Sequence, residues 1–318
     1  MSTRQDILSP LEAHRGTPLS GAALAKELGI SRTAVWKAIN RLRSEGFMIE
    51  AGTNKGYMLL EGRDVLTAEA VTAHLHHKVP VYVYDVVDST NKVAASMAMD
   101  RAPHGTTVIA DQQTAGRGRR GRSFYSPSTT GLYMSIIVKP TFDISKAVLI
   151  TAAAAVAISS AINQVSGLHT QIKWVNDIYL DGKKVSGTLT EAVSDFETGE
   201  IHRIVTGIGI NCSTENFPEG TGRNPGSLGG GIRRSQLAAA VIDHFLDIID
   251  DIESRRFIEE YRSRSMVIGR DILIYRTLDA PGEPARALDI DRDGGLIVER
   301  PDGSRETLST GEITIRMP

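Results

Sequence analysis

The chain has 318 residues, with 36 basic and 38 acidic side chains and a formal net charge of −2. At roughly 100–200 residues per domain this length predicts two or three domains, and the 41% hydrophobic share suits packed cores and excludes wholesale disorder. The near-neutral balance excludes a general polyanion binder but leaves room for local basic patches.

Residues 1–62 read as a small helical unit that ends in a hairpin. Ile7, Leu8 and Leu11 sit at helical spacing. Ser20 caps a second helix carrying Leu24 and Leu28, which Gly29 stops. Ser31 starts a third, with Val35, Ile39 and Leu42 on one face, and Gly46 ends it. Phe47–Glu50 and Tyr57–Leu60 then read as strands, with turn chemistry at Gly52, Asn54 and Gly56. A polar join, Glu61–Asp64, follows. Strand-like runs at Val81–Val87, Thr106–Asp111, Leu132–Lys139, Gln171–Val175 and Ile204–Ile210 alternate with helical ones at Asn91–Met99, Ser145–Gln164, Ser235–Glu253 and Phe257–Ser263. That mixture predicts an α/β or α+β core without giving its strand order. Gly220–Gly231, half glycine, reads as a mobile surface loop. From about residue 269, short strands at Asp271–Tyr275, Ala285–Asp291, Leu296–Arg300 and Glu312–Arg316 suit a small all-β barrel.

Other features bound the class. The lone cysteine, Cys212, forms no internal disulfide and suits a reducing cytoplasm. Met1–Ser9 lacks the apolar core of a secretion signal. The most apolar run, Ala147–Ile158, is too short for a bilayer of about 30 Å and reads as a buried helix, so no membrane partner is expected. His74-Leu75-His76-His77 reads as an exposed helix end more readily than as a metal site.

Gly21–Arg41 has helix-turn-helix logic. Ala25 is small where two helices approach, Gly29 sits in the turn, and Ile30 and Val35 plug the junction. The second helix offers Ser31, Arg32, Thr33, Trp36, Lys37, Arg41 and Arg43, with Lys55 on the hairpin tip. Residues 31–45 hold four basic side chains against one acid, so the neutral average hides a basic helix suited to operator DNA. A protein-binding helical module is the plainer alternative. A single unit makes few phosphate contacts, so specific binding calls for a dimer.

Gly116-Arg117-Gly118-Arg119-Arg120-Gly121-Arg122 is the sharpest signal: seven residues, all glycine or arginine. Glycine lets backbone N–H groups approach an anion, and arginine adds a permanent charge with a bidentate fork. No Gly-Lys-Ser/Thr follows, so this is no Walker loop. Four clustered cations repel one another, which predicts mobility until a polyanion arrives.

Gln113–Arg122 resembles the signature of the biotin–protein ligases, and Asp88-Ser89-Thr90-Asn91 resembles that family's ligand-binding turn. Lys173-Trp174-Val175-Asn176-Asp177, Lys184 and Gly187 resemble its second signature, and Gly207–Asn211 its third. With the helical unit in front, residues 20–316 are similar to the bifunctional bacterial ligases that also repress the biotin operon. The resemblance implies a multidomain α+β chain: a winged helix-turn-helix (1–62), a class II synthetase-like mixed α/β ligase core (63–268) and an SH3-like β-barrel (269–318). Val175 stands where the family often has proline, and Phe124 where it often has tryptophan.

The same resemblance implies an ATP-dependent reaction with Mg²⁺. Biotin's carboxylate attacks ATP to give biotinyl-5′-AMP, and biotin then passes to a lysine of a biotin carboxyl carrier protein. Lys184 and Arg119 are implied as catalytic. Ser89, Thr90, Asn91, Gln113, Gly116, Arg117, Gly118, Arg119, Lys184 and Gly187 are implied for biotin. Arg117, Arg119, Arg120, Arg122, Phe124, Asn176 and Asn211 are implied for ATP and the adenylate. Asp177 is a weak metal candidate, with a salt bridge as the alternative. Biotinyl-AMP is implied as corepressor, favouring a homodimer on DNA. Two alternatives stay open here: a transcription factor with a dead ligase domain as sensor, and a lipoate–protein ligase. Lys184 and the complete Gly-Arg loop argue against the first, and the loop against the second.

Overall fold

The computed structural model describes residues 3–52, 56–60, 64–140, 147–194, 201–221, 224–276, 281–309 and 314–316. The N-terminal unit holds α1 (Thr3–Ala13), α2 (Gly21–Glu27), α3 (Arg32–Ser44) and a hairpin of β1 (Ile49–Gly52) and β2 (Gly56–Leu59). Its helices start where capping chemistry allows. The Ser20 hydroxyl accepts from the amides of Ala22 and Ala23 at 3.3 and 3.4 Å, and the Ser31 hydroxyl accepts from Ala34 at 3.1 Å. Such caps contribute about 1 kcal/mol each. Ile7, Leu8, Leu11, Leu24, Val35, Ile39 and Leu42 form its core. Leu19 and Tyr57 exchange two backbone hydrogen bonds of 2.8 Å, which tie the wing to the segment before α2. The wing tip, including Lys55, lies outside the described residues, as does the join at 61–63.

A short helix, α4 (Ala68–Thr72), follows the join and has no counterpart among the sequence expectations. At one turn it is too short to show helical periodicity. It matters as a joint: Ala70 belongs to the N-terminal core and the adjacent Val71 to the central one.

The central unit is a seven-stranded sheet in the order β3-β4-β5-β9-β8-β7-β6. Its strands are β3 (Val81–Val87), β4 (Thr107–Gln113), β5 (Gly131–Val138), β6 (Gln171–Lys173), β7 (Asp177–Leu180), β8 (Lys183–Ser194) and β9 (Ile201–Asn211). β3 runs parallel to β4, and every other pairing is antiparallel. Alternation along each strand sends neighbouring residues to opposite faces. Val108, Ile137 and Val205 meet Ala94 and Ala98 of α5 (Thr90–Met99), whereas Ile109, Ile136 and Ile204 join the main core. That second face is covered by α6 (Ala147–Ser166), with α7 (Arg234–Asp250) packed on α6. α6 is long and apolar enough to cross a membrane, and 67% of its apolar window is buried inside the protein.

β7 and β8 went unforeseen. β8 carries a bulge at Val185, and its site-facing positions are Gly187, Leu189 and Glu191, so the apolar period of two is broken. After α8 (Phe257–Ser263) comes a five-stranded antiparallel sheet in the order β13-β12-β11-β10-β14, the sheet of the expected C-terminal barrel. Its strands are β10 (Asp271–Tyr275), β11 (Glu283–Ile290), β12 (Leu296–Glu299), β13 (Arg305–Leu308) and β14 (Thr314–Arg316). It shares the main core through Ile272, Ala287, Leu296 and Val298. Trp174 Nε1 donates to the Gly294 carbonyl at 3.0 Å, which docks this sheet beside β6.

Arg234, at the start of α7, has a side chain only 4% exposed. It pairs with Asp64 of the join, and its NH1 reaches Asp111 Oδ1 at 2.6 Å and the Gly131 carbonyl at 3.1 Å. Removing one member of a buried pair typically costs about 3–5 kcal/mol, and the partly exposed aspartates lower that toward 2–3 kcal/mol here. Arg234→Met is therefore expected to lower stability by roughly 2–3 kcal/mol in urea unfolding; an unchanged midpoint would contradict this assignment.

Candidate functional site

The face of the central sheet toward α5 is only half covered, and the uncovered half is a cleft of about 550 Å³. α5 begins beside it. Ser89 takes the N-cap position, and Ser89, Thr90 and Asn91 are all buried. The Gln113 side-chain oxygen accepts from the Thr90 amide at 2.9 Å and from its hydroxyl at 3.1 Å, while Gln113 Nε2 donates to the Ser126 hydroxyl at 3.0 Å. The Ser135 hydroxyl lies 2.8 Å from Thr90 Oγ1 and 2.7 Å from Asn91 Oδ1. This end of the cleft is thus uncharged and polar, with donors and acceptors already aligned.

Two glycines of β9 let the walls of the cleft pack directly on the sheet. A Cβ on Gly207 would overlap the Asn91 amide, and one on Gly209 would come within 2.6 Å of the Phe124 ring. Phe124 stands edge-on to Tyr133 with ring centres 6.3 Å apart. Gly116 packs as closely, since a Cβ there would meet the Phe124 carbonyl at 2.5 Å.

The Gly-Arg loop crosses the cleft as a short turn at Arg119–Gly121, with Arg120 in the left-handed region. Among the described residues, three of its four arginines have acceptors, although Arg120 NH1 is buried without one. Arg117 pairs with Glu191 at 2.9 Å, Arg119 NH1 donates to Asn176 Oδ1 at 2.7 Å, and Arg120 NH2 donates to the Arg276 carbonyl at 3.2 Å. The Gly118 amide donates to the Arg122 carbonyl at 2.7 Å. These partners offset part of the mutual repulsion among the four arginines. Burial lowers the Arg119 pKa, as do Arg120 and Arg122, against the opposing pull of Asp177.

At the β7–β8 side, Lys184 Nζ donates to Asp177 Oδ1 at 2.6 Å, beside Gly187, which pairs with Asp177 across the strands. Asn176 is fully engaged: its oxygen takes Arg119 and its Nδ2 donates to the Thr188 carbonyl at 2.8 Å. Asn211 is different. Its Nδ2 donates to the Gly226 carbonyl at 2.9 Å, and its buried Oδ1 has no partner. The glycine-rich segment is not a free surface loop in its described part. Lys184 donates its amide to Asn224, Gly226 returns one to Lys184, and Leu228 donates to Asn211. Gly220, Thr221 and Pro225 wall the cleft, as do Phe217 and Ile315.

Sequence reasoning missed Ser126, Ser135 and Glu191. Glu191 had a signal, lying two and four residues from Leu189 and Gly187 on one strand face. Ser135 had none, because only the β5–β9 pairing brings it to Asn91. Cys212 is buried and its thiol is pushed up to about 12 by desolvation, which suits packing. Among the described residues no group of three or more His, Cys, Asp or Glu could hold a metal. His76 and His77 instead donate their amides to Asp243 of α7 at 3.0–3.1 Å.

In the N-terminal unit, Ser31, Arg32, Thr33, Trp36, Lys37 and Arg41 are all exposed along α3, Trp36 to 54%. Arg43 departs from expectation. It is half-buried, and its Nε donates to the Ile49 carbonyl at 2.7 Å, so it braces the wing.

Comparison with known proteins agrees with this layout. Residues 83–211 match the biotin/lipoate A/B protein ligase family, residues 3–58 an HTH domain, and residues 277–316 the biotin protein ligase C terminal domain. The chain is 34% identical over 318 residues to the bifunctional ligase/repressor BirA of Bacillus subtilis (strain 168), covering 96% of this chain and 97% of that one. It is 29% identical over 306 residues to BirA of Escherichia coli (strain K12), covering 93% and 92%. Its fold is like that of the biotin protein ligase from Aquifex aeolicus in complex with biotin and ATP, with a TM-score of 0.65 at 24% identity over 75% of this chain and 99% of that one. The chain belongs to the family of bifunctional biotin ligase/repressors.

The Gly207 contact is directly testable. Gly207→Ala must displace Asn91 from Ser135 and Glu191, an overpacking cost of about 1–3 kcal/mol. A crystal structure of the variant is expected to show Asn91 moved; an unmoved Asn91 would refute the assignment.

Proposed function

We propose that this protein is an ATP-dependent biotin–protein ligase that also represses transcription in response to its own intermediate, acting in the cytoplasm with a biotin carboxyl carrier protein as acceptor. One observation carries the catalytic half: a single cleft joins an aligned, uncharged polar end to an arginine loop and a lysine. Ser89, Thr90, Asn91 and Gln113 suit biotin's neutral ureido head, which needs donors and acceptors and rejects analogues that cannot pair. The head end is built from the start of α5 with β4, β5 and β9, and Lys184 lies on β8, so a ligand spanning the two brings its carboxylate toward the lysine.

Carboxylate and triphosphate repel, so catalysis rests on positioning and charge neutralisation. Lys184, held by Asp177, faces the developing charge as biotin's carboxylate attacks the α-phosphate and pyrophosphate leaves. Arg119 is oriented through Asn176 to the β8 backbone. Gly118 and Gly187 line the cleft along the path for the chain of biotin, Gly116 lets the loop pack on the Phe124 carbonyl behind that path, and Arg120 and Arg122 border the phosphates. Asn211, with its unpaired buried oxygen, suits the adenine amine, and Phe124 suits the ring face. Mg²⁺ would be held by the hard triphosphate oxygens it prefers and would offset their charge; Asp177 is committed to Lys184. The acceptor lysine then displaces AMP from biotinyl-5′-AMP.

The regulatory half is supported by the exposed basic face of α3 and the wing. Ser31, Arg32, Thr33, Trp36, Lys37 and Arg41 address operator DNA, with Lys55 on the wing tip, and the adenylate-bound chain pairs as a homodimer on a two-fold site. We divide the chain at 1–62, 63–268 and 269–318.

Lys184→Ala is expected to cut biotin-dependent pyrophosphate release by on the order of 10²–10³, much more than it weakens biotin binding; near-wild-type release would refute the lysine's role. In gel shifts with a biotin-operon operator, biotin plus ATP is expected to tighten binding by roughly 5–150-fold, the usual range of allosteric coupling. Insensitivity to both ligands would remove the repressor half.

A further inference from the structure

Glu191 belongs to no motif that pointed to the site, yet it touches both halves of it. It sits on β8, on the cleft side, with its side chain 32% exposed. One oxygen, Oε2, accepts from Asn91 Nδ2 at 2.7 Å, and the other, Oε1, pairs with Arg117 NH2 at 2.9 Å. Asn91 is itself immobilised, pressed on the Gly207 backbone and hydrogen-bonded to Ser135. The chain Ser135–Asn91–Glu191–Arg117 therefore runs from the middle of the sheet to the first arginine of the loop.

We propose that Glu191 is a positioning residue that holds Arg117 over the uncharged end of the cleft, so that Arg117 closes the loop on the biotin moiety and is withheld from the triphosphate. This rests on the reading of that end as the biotin site. An isolated ion pair at this exposure would contribute little. Here the carboxylate also accepts from a buried amide, so its position is set independently of Arg117, and it neutralises one of four crowded positive charges. The triphosphate is then left to Arg119, Arg120 and Arg122. Loss of the carboxylate frees Arg117 and unlatches the loop at the biotin end.

The test uses the full-length protein and three variants, Glu191→Gln, Arg117→Ala and the double variant. Biotin-dependent pyrophosphate release gives separate KM values for biotin and ATP, and a chase with unlabelled biotin gives the rate at which preformed biotinyl-AMP escapes. Hydrogen bonds between charged groups are the stronger class, so Glu191→Gln is expected to raise the KM for biotin and the escape rate by about tenfold or more, with the KM for ATP within about twofold of wild type. Arg117→Ala is expected to do the same, and the double variant no more than either single one, because both remove one latch. Unchanged biotin KM and escape in Glu191→Gln, a selective rise in ATP KM, or additive effects in the double variant would each overturn the proposal. A wild-type protein that releases no pyrophosphate with biotin would instead overturn the reading of the site. Thermal unfolding of each variant separates a lost latch, which leaves the midpoint near wild type, from a lost fold, which lowers it and overturns the positioning role.

Discussion

The site exists because the central sheet is denied side chains where it would otherwise fill itself. Protein interiors pack to crystal-like density, and a strand face left without side chains is normally a void the fold cannot tolerate. Here Gly207 and Gly209 of β9 occupy that face at and beyond the N-terminal end of α5, and neighbours close in on them until a single added methyl would collide with Asn91 or Phe124. The cleft is thus a built gap with rigid walls. The polar groups of its uncharged end are held by one another and by the sheet, so their desolvation is met before any ligand arrives.

Charge is handled in the same way. Four arginines within six residues repel strongly, and the fold supplies acceptors to three of them from separate elements: Glu191 on β8, Asn176 before β7, and a carbonyl after β10. Each draws one guanidinium to a different wall, which spreads the positive charge along the length of the cleft. Lys184 is restrained by Asp177 for the same reason. A polyanion entering this site meets cations already in place, so little reorganisation accompanies the reaction.

The three units are joined by a few polar and apolar contacts of high leverage. Arg234 ties the join at Asp64 to Asp111, two residues before Gln113, and Asp111 also accepts from the Thr129 amide. The same side chain therefore touches the connection to the DNA-binding unit and both flanks of the Gly-Arg loop. α4 adds a residue to each of the two cores it separates. On the other side, Trp174 and Arg120 each reach a backbone carbonyl of the C-terminal segment, and Ile315 lines the cleft, so that sheet is part of the site's wall.

The sequence by itself determined the parts whose signals are local. Serine caps placed α2 and α3, their period placed the apolar faces of those helices, glycine-arginine composition marked the anion loop, and ordered motifs carried the family. It also indicated Ser89, Thr90 and Gln113, each inside a contiguous motif, and Lys184, which follows the second signature at a short spacing. What only the tertiary structure decided depends on pairing between distant strands. The bulge at Val185 broke the period by which β8 would be read, and the register of β8 on β9 set Glu191 against Asn91 and Arg117. The β5–β9 register brought Ser135 under α5. The folding of the glycine-rich segment onto Lys184 and Asn211 turned an apparent free loop into a wall. Asn176 and Asn211 look alike in sequence, and only their surroundings separate a side chain with both groups occupied from one with an oxygen still to pair. Hydrogen-bond satisfaction is a property of the assembled neighbourhood, and no local pattern encodes it.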